Sequence, residues 1–245
     1  QNTSARPRAT YSLRDMADFR VRIIEDRIDG MLLEFDGHQT ETMFVGAFNA
    51  SNLAAVYGAA ILLGVDRHEA LLCISRLRPV AGRFQPFRSA DGVTAIVDYA
   101  HTPDALVNVL DTIRDVASEG QRVITVCGAG GDRDRGKRPV MARAAADRSH
   151  LLILTSDNPR SEDPDAIIAE MLAGLNDSQR QTTLAITDRR QAIRHAAATA
   201  APGDIILIAG KGHETYQIIG NVKSHFDDRE EIKAAFALRQ DALTD

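Results

Sequence analysis

From position 93 to position 239 the chain alternates between two hydrophobic rhythms. Consecutive apolar runs at 93–97, 122–127, 151–155 and 204–209 predict buried strands, with a shorter one at 183–186. Between them, apolar residues recur at helical spacing over 103–116, 139–147, 165–175, 189–199 and 229–239. A strand that is apolar on both sides must be covered on both sides. The pattern therefore predicts an α/β fold, a Rossmann-like, mostly parallel sheet with helices on both faces.

The first third of the chain reads differently. Val21-Arg22-Ile23-Ile24 and Met31-Leu32-Leu33-Glu34-Phe35 alternate, with Asp29-Gly30 and Asp36-Gly37 between and after them. Asp-Gly between alternating runs predicts hairpins, so 11–45 is expected to be an antiparallel strand region. A helix is expected over 53–63, with Asn49 or Ser51 as its cap and Gly64 in the left-handed position that closes it. A second helix is expected over 66–77. Pro79, Gly82 and Pro86 then crowd together and predict a domain boundary or hinge, giving domains 1–82 and 83–245. The polar, basic stretch 1–10 lacks periodicity and does not start with Met. It reads as a flexible end or as the edge of a piece of something larger.

Composition narrows the function classes. At 245 residues, with 44% hydrophobic and 26% charged residues, the chain resembles an ordinary globular protein. A net charge of -5 argues against a general nucleic-acid binder, which needs a basic excess to neutralise phosphates. Cys73 and Cys127 sit in apolar surroundings without CxxC spacing, so buried free thiols in a reducing compartment are expected. No apolar run reaches the roughly 20 residues of a membrane span, and the cytoplasm is the expected location.

In a parallel sheet, the loops after the strands share one edge, and four of them carry unusual residues. Asp98-Tyr99-Ala100-His101-Thr102-Pro103 places Asp98 to accept from sugar hydroxyls and His101 to donate to phosphate. As an ordinary helix start it explains only Thr102 and Pro103. The loop from Gly128 to Pro139 combines glycines, which bare backbone N–H groups, with Arg133, Arg135, Lys137 and Arg138. It matches neither GxxxxGK[ST] nor GxGxxG, and an anion or carboxylate site fits it better than a plain turn. Asp157-Asn158-Pro159-Arg160 pairs a carboxylate with a guanidinium fork, equipment for a zwitterion; alone, it reads equally well as a surface turn. Gly210-Lys211-Gly212-His213-Glu214 brings a further carboxylate towards it.

With these four stretches in order and spacing, the chain from about Gly46 onward resembles the Mur ligase family, and within it the diaminopimelate-adding type. The resemblance implies a three-domain enzyme: a UDP-binding domain, a central ATPase domain and a Rossmann-like C-terminal domain. This chain then corresponds to the C-terminal part of the α/β ATPase domain followed by the whole last domain. ATP would phosphorylate a D-glutamyl carboxylate, and an amine would attack the acyl phosphate. Arg133, Asp157, Asn158, Pro159, Arg160, Gly210 and Glu214 are implied to bind meso-diaminopimelate. Asn49, Asn52, Arg83, Asp98 and His101 are implied to reach ATP.

The family's GTxGKT phosphate loop, its magnesium-binding Glu and His and its carbamylated Lys have no counterpart here. ATP and Mg2+ are therefore expected cofactors of the parent enzyme, with no catalytic or metal-binding residue in this chain. Partners are expected to be small molecules only (meso-diaminopimelate, UDP-MurNAc-dipeptide and ATP), acting on a monomer. A lysine-adding ligase or a folylpolyglutamate synthase is the alternative within the enzymes. A non-catalytic amino-acid-binding module is the alternative outside them.

Overall fold

Asp36 and Gly37 take left-handed backbone angles, φ 46° and 87°, so the chain reverses there and two alternating strands lie side by side. The structure, a computed structural model, describes residues 8–244, and side chains as far as residue 242. It divides into two compact units between Pro79 and Val80.

The first unit holds strands β1 (Tyr11–Ser12), β2 (Phe19–Arg27), β3 (Gly30–Phe35) and β4 (His38–Thr42), and helices α1 (Ala47–Leu62) and α2 (Arg67–Arg76). The strands form one sheet in the order β1-β2-β3-β4, with antiparallel β2–β3 and β3–β4 pairs. Met31, Leu33 and Phe35 alternate inwards along β3 and pack with Leu53 and Tyr57 of α1 and Ile74 of α2. Tyr57 extends its hydroxyl to Asp36 Oδ2 at 3.2 Å.

Three sequence expectations change here. Residues 1–7 of the expected flexible end lie outside the described residues, but Thr10 is tied down: Asp18 Oδ2 accepts from its N–H at 2.8 Å. Helix α1 starts at Ala47, not at 53, behind Gly46 with φ 88° and no side-chain cap. Asn49 lies inside it and donates from Nδ2 to the Val45 carbonyl, so neither it nor Ser51 is the cap. Cys73 is exposed on α2, whose buried stripe runs through Ala70, Leu71 and Ile74; only Cys127 is buried.

In the second unit the sheet runs β5-β6-β10-β7-β8-β9. Its strands are β5 (Gln85–Arg88), β6 (Thr94–Asp98), β7 (Val123–Cys127), β8 (Leu151–Leu154), β9 (Thr183–Ala185) and β10 (Ile205–Ala209). All neighbours are parallel except β5, which pairs antiparallel with β6 at the edge. β5 was not legible because Pro86 sits in it, which an edge strand tolerates.

Helices α3 (Pro103–Val116), α4 (Lys137–Ala146), α5 (Pro164–Leu172), α6 (Asp177–Gln181), α7 (Arg189–Thr199) and α8 (Asp228–Thr244) complete the unit, with a hairpin of β11 (Tyr216–Ile219) and β12 (Val222–His225). Ala95, Val97, Ile124, Val126, Ile206 and Ile208 face Ile193 of α7 and Ile232 and Phe236 of α8. The alternate residues Ile96, Thr125 and Leu207 are equally buried and point to the other face. Inserting the last parallel strand, β10, between β6 and β7 puts the ends of β6, β7, β8 and β10 next to one another along one edge.

Candidate functional site

Where those strands stop, a cleft of about 290 Å³ opens in the second unit. His101, Arg133, Asp157, Asn158, Arg160, Gly210 and Glu214 all line it. Pro159 does not, but its carbonyl sets the wall: a Cβ on Gly131 would fall 1.9 Å from it, so only glycine lets the two loops lie this close. Sequence reasoning did not single out Tyr99, Lys137 or Tyr216 as site residues, yet they also line the cleft. Lys137 and Tyr99 stood inside stretches already notable for their composition. Tyr216 had no local signal, because the hairpin folds back onto the cleft only in three dimensions.

The loop after β8 is held open in an unfavourable backbone. Arg160 has φ 50°, a left-handed conformation that costs a non-glycine residue roughly 1 kcal/mol. Its N–H donates to the Ile218 carbonyl at 3.0 Å and its own carbonyl accepts from Gly220 at 2.6 Å, so β11 overdetermines the turn. The side chain crosses to the glycine loop, where Nη1 donates to the Gly131 carbonyl at 2.8 Å. The rest of the fork stays available to the cleft. Arg133 is exposed and spends only Nη1, on the Asp132 carbonyl at 3.1 Å.

A buried arginine fastens these loops. Arg138, fully buried, donates to Glu162 Oε1 at 2.7 Å and to Glu170 Oε2 at 2.7 Å, tying the start of α4 to the segment after Arg160. Asp132 adds a stitch by accepting from Ser161 Oγ at 2.7 Å.

Two carboxylates line the same cleft as the guanidinium groups. Glu214 Oε2 accepts from Asn158 Nδ2 at 2.9 Å, and Asp157 is largely buried with Lys211 Nζ 3.4 Å from its Oδ1. Lys211 is wholly buried; desolvation lowers its pKa, and the Asp157 charge opposes that shift. Gly210 has φ 118°, a backbone conformation that residues with a side chain rarely adopt, and a Cβ there would also come within 2.7 Å of Asp157 Oδ2. The cleft is thus lined by both cationic forks and carboxylates, a match for a molecule carrying both charges.

The residues expected near a nucleotide are divided between the two units. Asn49 and Asn52 lie one helical turn apart on α1, in the first unit. Arg83, Asp98 and His101 lie in the second. Burial raises the Asp98 pKa even though the Phe84 and Ala100 N–H groups, both at 2.8 Å, donate to its oxygens. Arg83 lies 4.3 Å from the centre of the Tyr99 ring, which His101 and His213 flank. His101 Nδ1 sits 2.8 Å from the Tyr99 carbonyl, so Nδ1 donates there and Nε2 donates to an anion only as imidazolium. Gly82, expected at a hinge, is packed backbone to backbone on Gly212, 2.0 Å from a would-be Cβ. Among the described residues no cluster of His, Cys, Asp or Glu could hold a metal ion.

Comparison with known proteins bears on the family and the fold. The family model described as Mur ligase, glutamate ligase domain, matches residues 82–212. The UDP-N-acetylmuramoyl-L-alanyl-D-glutamate–2,6-diaminopimelate ligase of Bacteroides thetaiotaomicron is 57% identical over 236 residues, 96% of this chain and 49% of that protein. The ligase of the same name from Lactiplantibacillus plantarum is 43% identical, over 94% of this chain and 46% of its own. A solved structure of such a diaminopimelate ligase superimposes with a TM-score of 0.71 at 40% identity, over 95% of this chain and 48% of that one. Folylpolyglutamate synthase from Thermotoga maritima shares the fold, with a TM-score of 0.62 at 16% identity over 79% of this chain and 44% of that one. The chain spans about half the length of the curated relatives it matches.

Proposed function

This chain belongs to the Mur ligase family, and we propose that its cleft is the amino-acid site of a ligase that adds meso-diaminopimelate to UDP-MurNAc-L-Ala-D-Glu. The whole enzyme would make this amide at the expense of ATP, in the cytoplasm, during assembly of the peptidoglycan precursor. One observation carries the choice of amino acid: Arg133 and Arg160 line the same cleft as Asp157 and Glu214. A diaminopimelate end group needs both a guanidinium fork for its carboxylate and a carboxylate for its ammonium. The ammonium end of lysine would leave a fork unpaired, and that favours diaminopimelate over lysine.

The division of labour follows from what the chain contains. Residues 83–245 would be the amino-acid-binding domain, and residues 1–82 the closing part of the ATPase domain. Asn49, Asn52, Arg83, Asp98 and His101 would contact ATP at its edges, and phosphate and magnesium ligands would come from outside these residues. Catalysis by positioning and charge stabilisation across two surfaces needs both of them. This chain alone is therefore expected to bind and not to turn over, as a monomer with only small molecules as partners.

Calorimetry on the 245-residue chain tests the reading. Meso-diaminopimelate should bind and L-lysine should bind at least about 10-fold more weakly, a difference of about 1.4 kcal/mol. Equal affinities would overturn the proposed specificity. Amino-acid-dependent release of phosphate from ATP by this chain alone would overturn the division of labour.

A further inference from the structure

Lysine is seldom found without any exposed surface, and Lys211 is such a lysine. Its Nζ lies 3.1 Å from Asn158 Oδ1, 2.8 Å from the Tyr216 carbonyl and 3.4 Å from Asp157 Oδ1. The Tyr216 and Phe226 rings close over it, each with its centre 6.0 Å away. Lys211 therefore joins the loop after β8, the loop after β10 and the hairpin strand β11.

Its effect on Asn158 is directional. An asparagine amide can sit in two orientations of nearly equal shape, with its oxygen and nitrogen exchanged. An ammonium has only donors, so it accepts one of the two: the one with Oδ1 towards Nζ. The Ile218 N–H donates to the same Oδ1 at 3.0 Å, which occupies its second lone pair. Nδ2 is thereby turned the other way. One of its hydrogens goes to Glu214 Oε2 at 2.9 Å, and the other is the group the amide has left to offer. Asn158 itself lines the cleft.

We infer that Lys211 is a positioning residue that locks the Asn158 amide with its N–H side to the cleft. Asn158 then offers a donor to a ligand's carboxylate and no acceptor to its ammonium. The fixed Nδ2 also holds Glu214 in place for that ammonium. This rests on the reading of the cleft as an amino-acid site, and it adds the reason why the polarity of Asn158 is not free to invert.

Calorimetry of meso-diaminopimelate on the 245-residue chain gives the first readout. Lys211→Met and Asn158→Ala are each expected to weaken binding about 10-fold or more, the loss of a hydrogen bond to a charged group. The double variant is expected to be no weaker than the poorer single one, because the first residue acts through the second. Losses that multiply would overturn the inference. Should Lys211→Met not fold, Asn158→Asp carries the test, since it keeps an oxygen towards Lys211 and removes the donor. It is expected to lose about 10-fold in affinity with an unchanged circular dichroism spectrum; full affinity overturns the inference.

The second readout needs no ligand. The Asn158 side-chain amide hydrogens should exchange slowly in the wild-type chain and rapidly in Lys211→Met. A wild-type chain with such an amide but no affinity for diaminopimelate would sink the proposed function and leave the positioning role standing. A freely exchanging wild-type amide would sink the positioning role whatever binds.

Discussion

Arg189 and Asp228 hold each other through two hydrogen bonds inside the second unit, Nε to Oδ1 and Nη2 to Oδ2, each at 2.7 Å, with neither side chain exposed. Nη2 also donates to the Ala209 carbonyl at 2.9 Å, so the pair anchors the end of β10 to the starts of α7 and α8. Burial works against the Arg189 charge, but the attraction of Asp228 outweighs it and keeps the guanidinium above its ordinary pKa.

Removing one partner should leave the other charge buried and uncompensated. Arg189→Met is expected to destabilise the chain by about 3–5 kcal/mol, measured by urea unfolding. Arg189→Met combined with Asp228→Leu should recover part of that loss, because the orphaned carboxylate is gone. A double variant as unstable as the sum of the singles would contradict the pairing.

At Arg160 the side chain and the backbone can be separated. Arg160→Ala and Arg160→Gly should both lose about 2 kcal/mol of diaminopimelate binding, the worth of a charge-assisted fork. The glycine variant should nevertheless be the more stable of the two by about 1 kcal/mol, since φ 50° costs glycine nothing. Paired calorimetry and thermal melts check both halves.

Acid should loosen the loops in a defined window. Hydrogen bonds from Arg138, and then from the Asp132 N–H, pull the Glu162 pKa down from 4.5 to about 2. A carboxylate with a lowered folded pKa contributes stability that is present above its unfolded value and lost as pH falls through the folded one. Stability should therefore decline from about pH 4.5 towards about pH 2. In Glu162→Gln the decline should be shallower. Unfolding midpoints measured across that range would show an identical slope if Glu162 were not involved.

The two thiols should differ sharply in reactivity. Burial raises Cys127 to a pKa of about 12, so it carries no thiolate near neutral pH, whereas Cys73 is exposed. A disulfide reagent should label one thiol in the native chain and two in denaturant. Two rapid labels in the native state would contradict the burial of β7.

Sequence alone determined the parallel α/β sheet, because fully apolar runs such as Leu151-Leu152-Ile153-Leu154 must be covered on both faces. It also determined that the unusual loops share one edge, because every parallel strand ends on the same side. Local rules failed where long-range pairing outweighs them. Pro86 hid strand β5, Gly46 opened α1 without a side-chain cap, and the exposed β12 carries no alternation. In the cleft, the charges of Arg133, Asp157, Arg160 and Glu214 were readable, because each carries its chemistry in its own side chain. What each charge leans on was not. That Lys211 faces the oxygen of Asn158, and that Arg160 is held left-handed by Ile218 and Gly220, depend on residues 50 or more positions away. Only the tertiary structure decided those, since a side chain's partner is set by the path of the backbone and not by its neighbours in sequence.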